Sequence, residues 1–114
     1  MKISVDFDGT LIENLSFFRV FFDCFRKQGH KVGILTYRSK EVISKIKKIQ
    51  PELEIDFLVT RDGEFKILLE EEYKLKMIDM HNIDYHFDDK IRGEKIFAVP
   101  EITNPFMKGN DSEL

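Results

Sequence analysis

Asp6 and Asp8 stand one residue apart, followed by Gly9, at the end of the short apolar run Lys2-Ile3-Ser4-Val5. Residues two apart on an extended chain point the same way, so both carboxylates would share a side with Phe7 opposite. Carboxylates held so close repel unless a cation or a proton comes between them. The spacing therefore asks for a divalent metal or for a split into an acid and a base. Gly9 permits a tight bend with backbone amides exposed. An ordinary Asp-Gly turn is the plainer explanation, but here the strand, the spacing and Gly9-Thr10 occur together.

Three later features could join this pair. Lys31-Val32-Gly33-Ile34-Leu35 is an apolar strand pattern that ends in Thr36, a hydroxyl able to donate to an anionic oxygen without adding negative charge. Arg38, two residues on, could reach the same anion, although a solvated loop arginine explains it equally well. Lys74 and Lys76 lie on one expected helix and project about 200° apart at 100° per residue, so only one can point inward. Asp88-Asp89 closes the run Ile83-Asp84-Tyr85-His86-Phe87, read as a fourth strand. His81 and His86 read as helix-end and strand residues rather than ligands, since a hard divalent cation prefers oxygen.

The elements that must position these groups alternate between strand and helix patterns. Phe18, Phe21, Phe22 and Phe25 fall at helical spacing before Gly29, which predicts a first helix over 15–27. Phe17, Val20 and Cys24 widen its apolar surface; a bulky core is favoured over a subunit contact, and Cys24 is read as a core residue. Ser39 is placed to cap a helix over 40–50 whose stripe is Val42, Ile43, Ile46 and Ile49, closed by Pro51. A third strand is expected over 55–60. Asp62-Gly63 between apolar runs signals a small hairpin over 57–69, in which 65–69 is the second arm; the start of a helix there is the alternative. The run 70–81 has acids first and bases later, the polarity a helix dipole favours, and its acid cluster reads as a solvated helix start. A fifth strand over 96–99 and an irregular C-terminus with Pro100 and Asn104-Pro105 complete the pattern. Strands alternating with helices imply an α/β fold, a parallel sheet covered on both faces with every strand's carboxyl end on one edge. Asp6, Thr36 and Asp88 all sit at such ends.

At 114 residues with eleven Phe, the chain reads as a single domain over 1–114 with room for a core but not for a separate lid. A formal net charge of −3 gives no overall basic field, so nucleic acid is possible as a partner but unsupported by charge. Apolar runs are interrupted before bilayer length, the chain enters a strand without a signal peptide, and its single cysteine forms no intrachain disulfide. No membrane and a reducing, cytoplasmic setting are the expectation.

Asp6-Phe7-Asp8-Gly9-Thr10 after a hydrophobic strand resembles the first signature motif of the haloacid dehalogenase-like (HAD) phosphohydrolase superfamily. Thr36 stands where the second motif expects Thr or Ser, Lys74 where the third expects a lysine with Lys76 as runner-up, and Asp88-Asp89 as the fourth. The resemblance covers nearly the whole chain and implies a Rossmann-like three-layer sandwich with a mainly parallel five-stranded sheet ordered 5-4-1-2-3. It implies a magnesium-dependent phosphatase in which Asp6 is the nucleophile that carries a transient aspartyl-phosphate. Asp8 would protonate the leaving group and then activate water. Mg²⁺ would be held by Asp6, the backbone carbonyl of Asp8 and Asp88, with Asp89 assisting. Thr36, Lys74, Arg38 and the loop formed by Phe7, Gly9 and Thr10 would bind the phosphoryl group. About two dozen residues between Asp8 and the second strand leave no room for a large cap. An open, capless site fits a phosphorylated small molecule, a macromolecular end contacted by Lys90 and Arg92, or closure by a second copy in a homo-oligomer. Two competing readings remain, a phospho-accepting receiver-like module and a non-catalytic HAD-like scaffold.

Overall fold

The computed structural model describes residues 1–49 and 53–98. Among these, five strands form one all-parallel sheet: β1 (Lys2–Val5), β2 (Lys31–Leu35), β3 (Phe57–Val59), β4 (Tyr85–Asp88) and β5 (Ile96–Ala98). Their order is β3-β2-β1-β4-β5, the expected order read from the opposite edge. Helices α1 (Leu15–Lys27), α2 (Val42–Ile49) and α3 (Glu70–Met80) make the first three crossovers, as parallel pairing requires. β4 and β5 are so short that the loop 89–95 suffices to return the chain.

Alternation along the strands sorts the two faces. Ile3 and Val5 of β1 with Val32 and Ile34 of β2 join Phe18 and Phe22 of α1 and Val42 and Ile46 of α2 in one buried core. On the other face Leu35 and Val59 pack with Tyr73, Met77 and Ile78 of α3. Fully burying each such side chain contributes about 1.5–3 kcal/mol. The intervening positions of the central strands, Ser4 on β1 with Asp6 just past its end and His86 and Asp88 on β4, thereby turn toward α3. Strand order reverses at β1, and in open α/β sheets that switch point, at the carboxyl edge, is where ligands bind.

Several elements differ from expectation. The predicted hairpin at Asp62-Gly63 does not form: β3 is confined to Phe57–Val59 and pairs only with β2, in parallel, and Gly63–Ile67 is a 3₁₀ turn. Phe65 and Leu68 fold down onto the Tyr73 side of the core instead of continuing a ribbon. Cys24 is exposed rather than in the core, and Phe17 and Val20, at 60% and 65% exposure, lie outside it too. At 100° per residue these three stand on the side of α1 turned away from Phe18 and Phe22, which face the sheet. Ser39 does not cap through its hydroxyl, which bonds the Glu41 side chain; its carbonyl accepts the Val42 amide at 3.1 Å. Gln50 and Pro51, expected to end α2, and the expected strand end at Val99 with the irregular segment from Pro100 lie outside the described residues. Among the described residues no helix is long and apolar enough to cross a membrane.

Candidate functional site

Asp6 and Asp88 leave the ends of adjacent strands and meet at a single ammonium. Lys74 Nζ donates to Asp6 Oδ1 at 2.9 Å, to Asp88 Oδ2 at 2.6 Å and to Glu70 Oε2 at 3.0 Å. An ammonium has three donors, and all three are used. Lys74 is fully buried, carried inward on the face of α3 that also buries Tyr73, Met77 and Ile78. Lys76 points away and is exposed, its Nζ 5.9 Å from the centre of the Phe65 ring. Glu70 reaches Lys74 from one turn earlier, the i,i+4 spacing at which helix side chains meet. One member of the acid cluster read as a solvated helix start is therefore part of the site.

Oxygen atoms of Asp6, Asp88 and Asp89 all lie within 4.8 Å of one another. Hard carboxylate donors grouped in this way suit magnesium, calcium or manganese rather than softer metals. The side chain of Asp8 does not join the cluster. It accepts from Arg38 Nε at 2.6 Å, and both groups line the mouth of a cleft of ≈ 230 Å³ together with Asp6, Tyr37, Arg61 and Lys90. A larger depression of ≈ 520 Å³ lies against α1 between Ser16, Val20, Phe22 and Glu54, and no expected site residue lines it.

The loop after β1 is shaped by Gly9. Its φ of +78° is costly for other residues, and a Cβ there would stand 2.3 Å from Asp89 Oδ2, so glycine is what admits Asp89 to the cluster. Thr10 is buried and donates to Asp89 Oδ1 at 3.4 Å, while its carbonyl accepts from Asn14 Nδ2 at 2.8 Å. The Phe7 side chain belongs to the core beneath the loop, so any contact it makes with a ligand comes from its backbone. Thr36 is buried at the end of β2, and its Oγ accepts the Arg38 amide at 3.1 Å, leaving its own hydroxyl proton to donate.

Electrostatics separate the two central carboxylates. Burial pushes the Asp6 carboxyl up to about 7, with Asp88 and Asp89 adding to the rise and Lys74 opposing it. Burial also works against ionised Asp88, but hydrogen bonds from His86 and Lys74 and the lysine's charge outweigh it and hold that carboxyl well below its ordinary range. Burial would deprotonate Lys74, yet Asp6 and Asp88 beside it keep the ammonium charged.

Sequence reasoning passed over Ser4, Tyr37 and Arg61. His86 is the strand residue expected, on β4 and outside the oxygen cluster, but it is also fully buried and touches Asp88. The signal available was its i,i+2 spacing from Asp88, the same spacing as Ser4 from Asp6. Arg61 donates from Nε to the Tyr37 carbonyl at 2.7 Å and sits 4.3 Å from that residue's ring centre, tying the loops after β2 and β3 together. Comparison of the chain with family models, with curated proteins and with solved structures returns no match in any of the three. The reading of this site rests on its own geometry.

Proposed function

We propose that this chain is a magnesium-dependent phosphohydrolase of the HAD type, cleaving a phosphomonoester through a phosphorylated Asp6. The observation that carries the reading is the buried Lys74 ammonium joining Asp6 to Asp88, with Asp89 alongside, at the sheet's switch point. Four groups from three separate stretches converge there, and their chemistry is complementary to a phosphoryl group only when a cation accompanies them.

Asp6, Asp88 and Asp89 supply the oxygen donors for Mg²⁺, with the Asp8 carbonyl as a further candidate. When bound, the cation supplies charge neutralisation that lets an anionic phosphoryl group approach carboxylates. Asp6 Oδ attacks phosphorus and forms the acyl phosphate as the P–O bond to the leaving group breaks. Lys74 keeps Asp6 oriented and offsets charge on the transferred group. Asp8, half exposed at the mouth and fixed by Arg38, is placed to give the leaving oxygen its proton and later to take one from water. Thr36 and the amides around Gly9 donate to the phosphoryl oxygens. The cleft is open, which suits a small phosphorylated metabolite or a phosphorylated macromolecular end, and the setting proposed for it is the cytoplasm.

The receiver-like alternative is less well supported. Sheets of that kind are ordered 2-1-3-4-5, whereas here β1 is central and β3 is an edge strand that runs into Thr60 rather than an aspartate. The test is phosphate release from an aryl phosphate with and without Mg²⁺. Wild-type turnover abolished in Asp6→Asn is the expected result; an Asp6→Asn variant as fast as the parent would remove Asp6 as nucleophile.

A further inference from the structure

Ser4 and His86 are directly opposed in the β1–β4 register, and both side chains are fully buried. Ser4 Oγ lies 2.7 Å from His86 Nδ1, and His86 Nε2 lies 2.9 Å from Asp88 Oδ2. Asp88 Oδ2 also accepts from the Lys74 ammonium, and a carboxylate has no proton of its own to offer the ring. A neutral ring facing a carboxylate must present its Nε2–H to it. Nδ1 is then the acceptor, and the Ser4 hydroxyl donates. The chain Ser4 to His86 to Asp88 therefore runs in one direction, with a single tautomer compatible with it.

The effect falls on Asp88. Its Oδ2 accepts from both His86 and Lys74, and its Oδ1 accepts the Lys90 amide at 2.9 Å. Lys74 is shared with Asp6 and Glu70, so it cannot by itself fix the rotation of the Asp88 carboxylate. The imidazole is rigid, fully enclosed and braced from behind by β1. Nothing else in the site uses it: both ring nitrogens are engaged, so it is not a ligand, and without exposure it is not an acid or base toward substrate. Resting on the metal-binding reading above, we infer that His86, oriented by Ser4, is a positioning residue that presents Asp88 to the divalent cation. Carboxylates and imidazoles held by such outer partners bind metal better because the orientation is fixed before the ion arrives.

The experiment is Mn²⁺ titration of the full chain, followed by electron paramagnetic resonance of the free ion, with Asp88→Asn as the ligand-loss control. Three positioning variants are compared, His86→Leu, His86→Gln and Ser4→Ala. Leucine fills the space without a donor, and glutamine can place an amide N–H near the Nε2 position. The expected outcome is a loss of about tenfold or more in Mn²⁺ affinity for His86→Leu, affinity close to wild type for His86→Gln, and a smaller loss for Ser4→Ala. If His86→Leu does not fold, the Ser4→Ala loss and the His86→Gln retention carry the test. The imidazole nitrogen spectrum of the metal-free protein should show one protonated Nε2, with Ser4→Ala weakening that preference. Wild-type affinity in folded His86→Leu, equal losses in the Leu and Gln variants, or wild-type affinity in Ser4→Ala with a protonated Nδ1 would overturn the positioning role while leaving the metal site intact. Absence of Mn²⁺ binding to the wild-type chain would instead remove the metal reading, and this role with it.

Discussion

Lys74 and Asp88 form an ion pair at 2.6 Å in which both side chains are fully buried. A buried pair is weak evidence of net stabilisation, because desolvating two charges costs about as much as their attraction returns. Removing one partner is different, since an uncompensated charge stays behind. Lys74→Met leaves Asp6 and Asp88 facing each other and should lower unfolding free energy by about 3 kcal/mol, read from the midpoint of a urea titration at pH 7. A cation can replace the lost ammonium, so Mg²⁺ should raise the melting temperature of Lys74→Met more than that of the parent. A variant as stable as wild type would mean that the two carboxylates separate freely or share a proton at no cost.

Gly9 and Asp89 make a second paired test. Alanine at position 9 would combine a positive φ with a Cβ placed 2.3 Å from the Asp89 carboxylate. Gly63 supplies the comparison, since its φ is +63° but a Cβ there meets nothing within 4 Å. Backbone strain alone costs on the order of 1–3 kcal/mol, so Gly63→Ala should pay only that. Gly9→Ala should lose more stability than Gly63→Ala and should also weaken divalent-cation binding, because Asp89 must move. Equal effects on stability with unchanged cation binding would show that Asp89 is not held against the loop.

The contrast between these glycines also explains what could be read from the sequence. The apolar runs at Ile3-Ser4-Val5, Val32 to Leu35 and Tyr85-His86-Phe87 announce strands because a short apolar run is a local signal, and the first two are buried on both faces; acids following them fall at the sheet edge by topology alone. The resemblance puts Lys74 ahead of Lys76, and the buried face of α3 carries the former inward. The 62–69 stretch misled because Asp62-Gly63 specifies a bend but not what lies beyond it. Whether Phe65 and Leu68 continue a ribbon or drop onto Tyr37 and Tyr73 is decided by a distant cluster. Cys24, Phe17 and Val20 stand on the side of α1 turned away from the buried Phe18 and Phe22, so an apolar side chain at these positions stays outside the core. Ser4 and His86 are strand residues as their local patterns indicate, and their partnership is not legible locally because it depends on β1 and β4 being neighbours.

Tyr73 provides a prediction against the usual trend. Its hydroxyl is buried with no hydrogen-bond partner among the described residues, and burial pushes its ionisation well above the ordinary range. Removing a hydroxyl that is hydrogen-bonded typically costs about 1 kcal/mol, whereas removing a buried unsatisfied one relieves a desolvation penalty of about 1–3 kcal/mol. Tyr73→Phe should therefore be neutral or stabilising in a urea titration, with the ring's packing against Tyr37 retained. A loss near 1 kcal/mol or more would reveal a bridging water as the missing partner.

The last prediction concerns protons at Asp6. Its folded pKa of about 7 lies above the unfolded value of 3.8, so between those pH values the metal-free folded state holds a proton that the unfolded chain has released. Stability of the metal-free protein therefore falls, through this group, as pH rises from 3.8 to about 7. A cation bound by the same carboxylate must displace that proton, so it competes with acid. Cation affinity should be nearly constant above about pH 8 and decline below about pH 7, approaching tenfold per pH unit where Asp6 alone is protonated. Isothermal titration calorimetry of Mn²⁺ at pH 6 in two buffers of different ionisation enthalpy should report close to one proton released per ion. Asp6→Asn should abolish the proton release at that pH. Proton release unchanged in Asp6→Asn would assign it elsewhere and would leave Asp6 ionised in the metal-free fold, with Lys74 alone sufficient to keep it so.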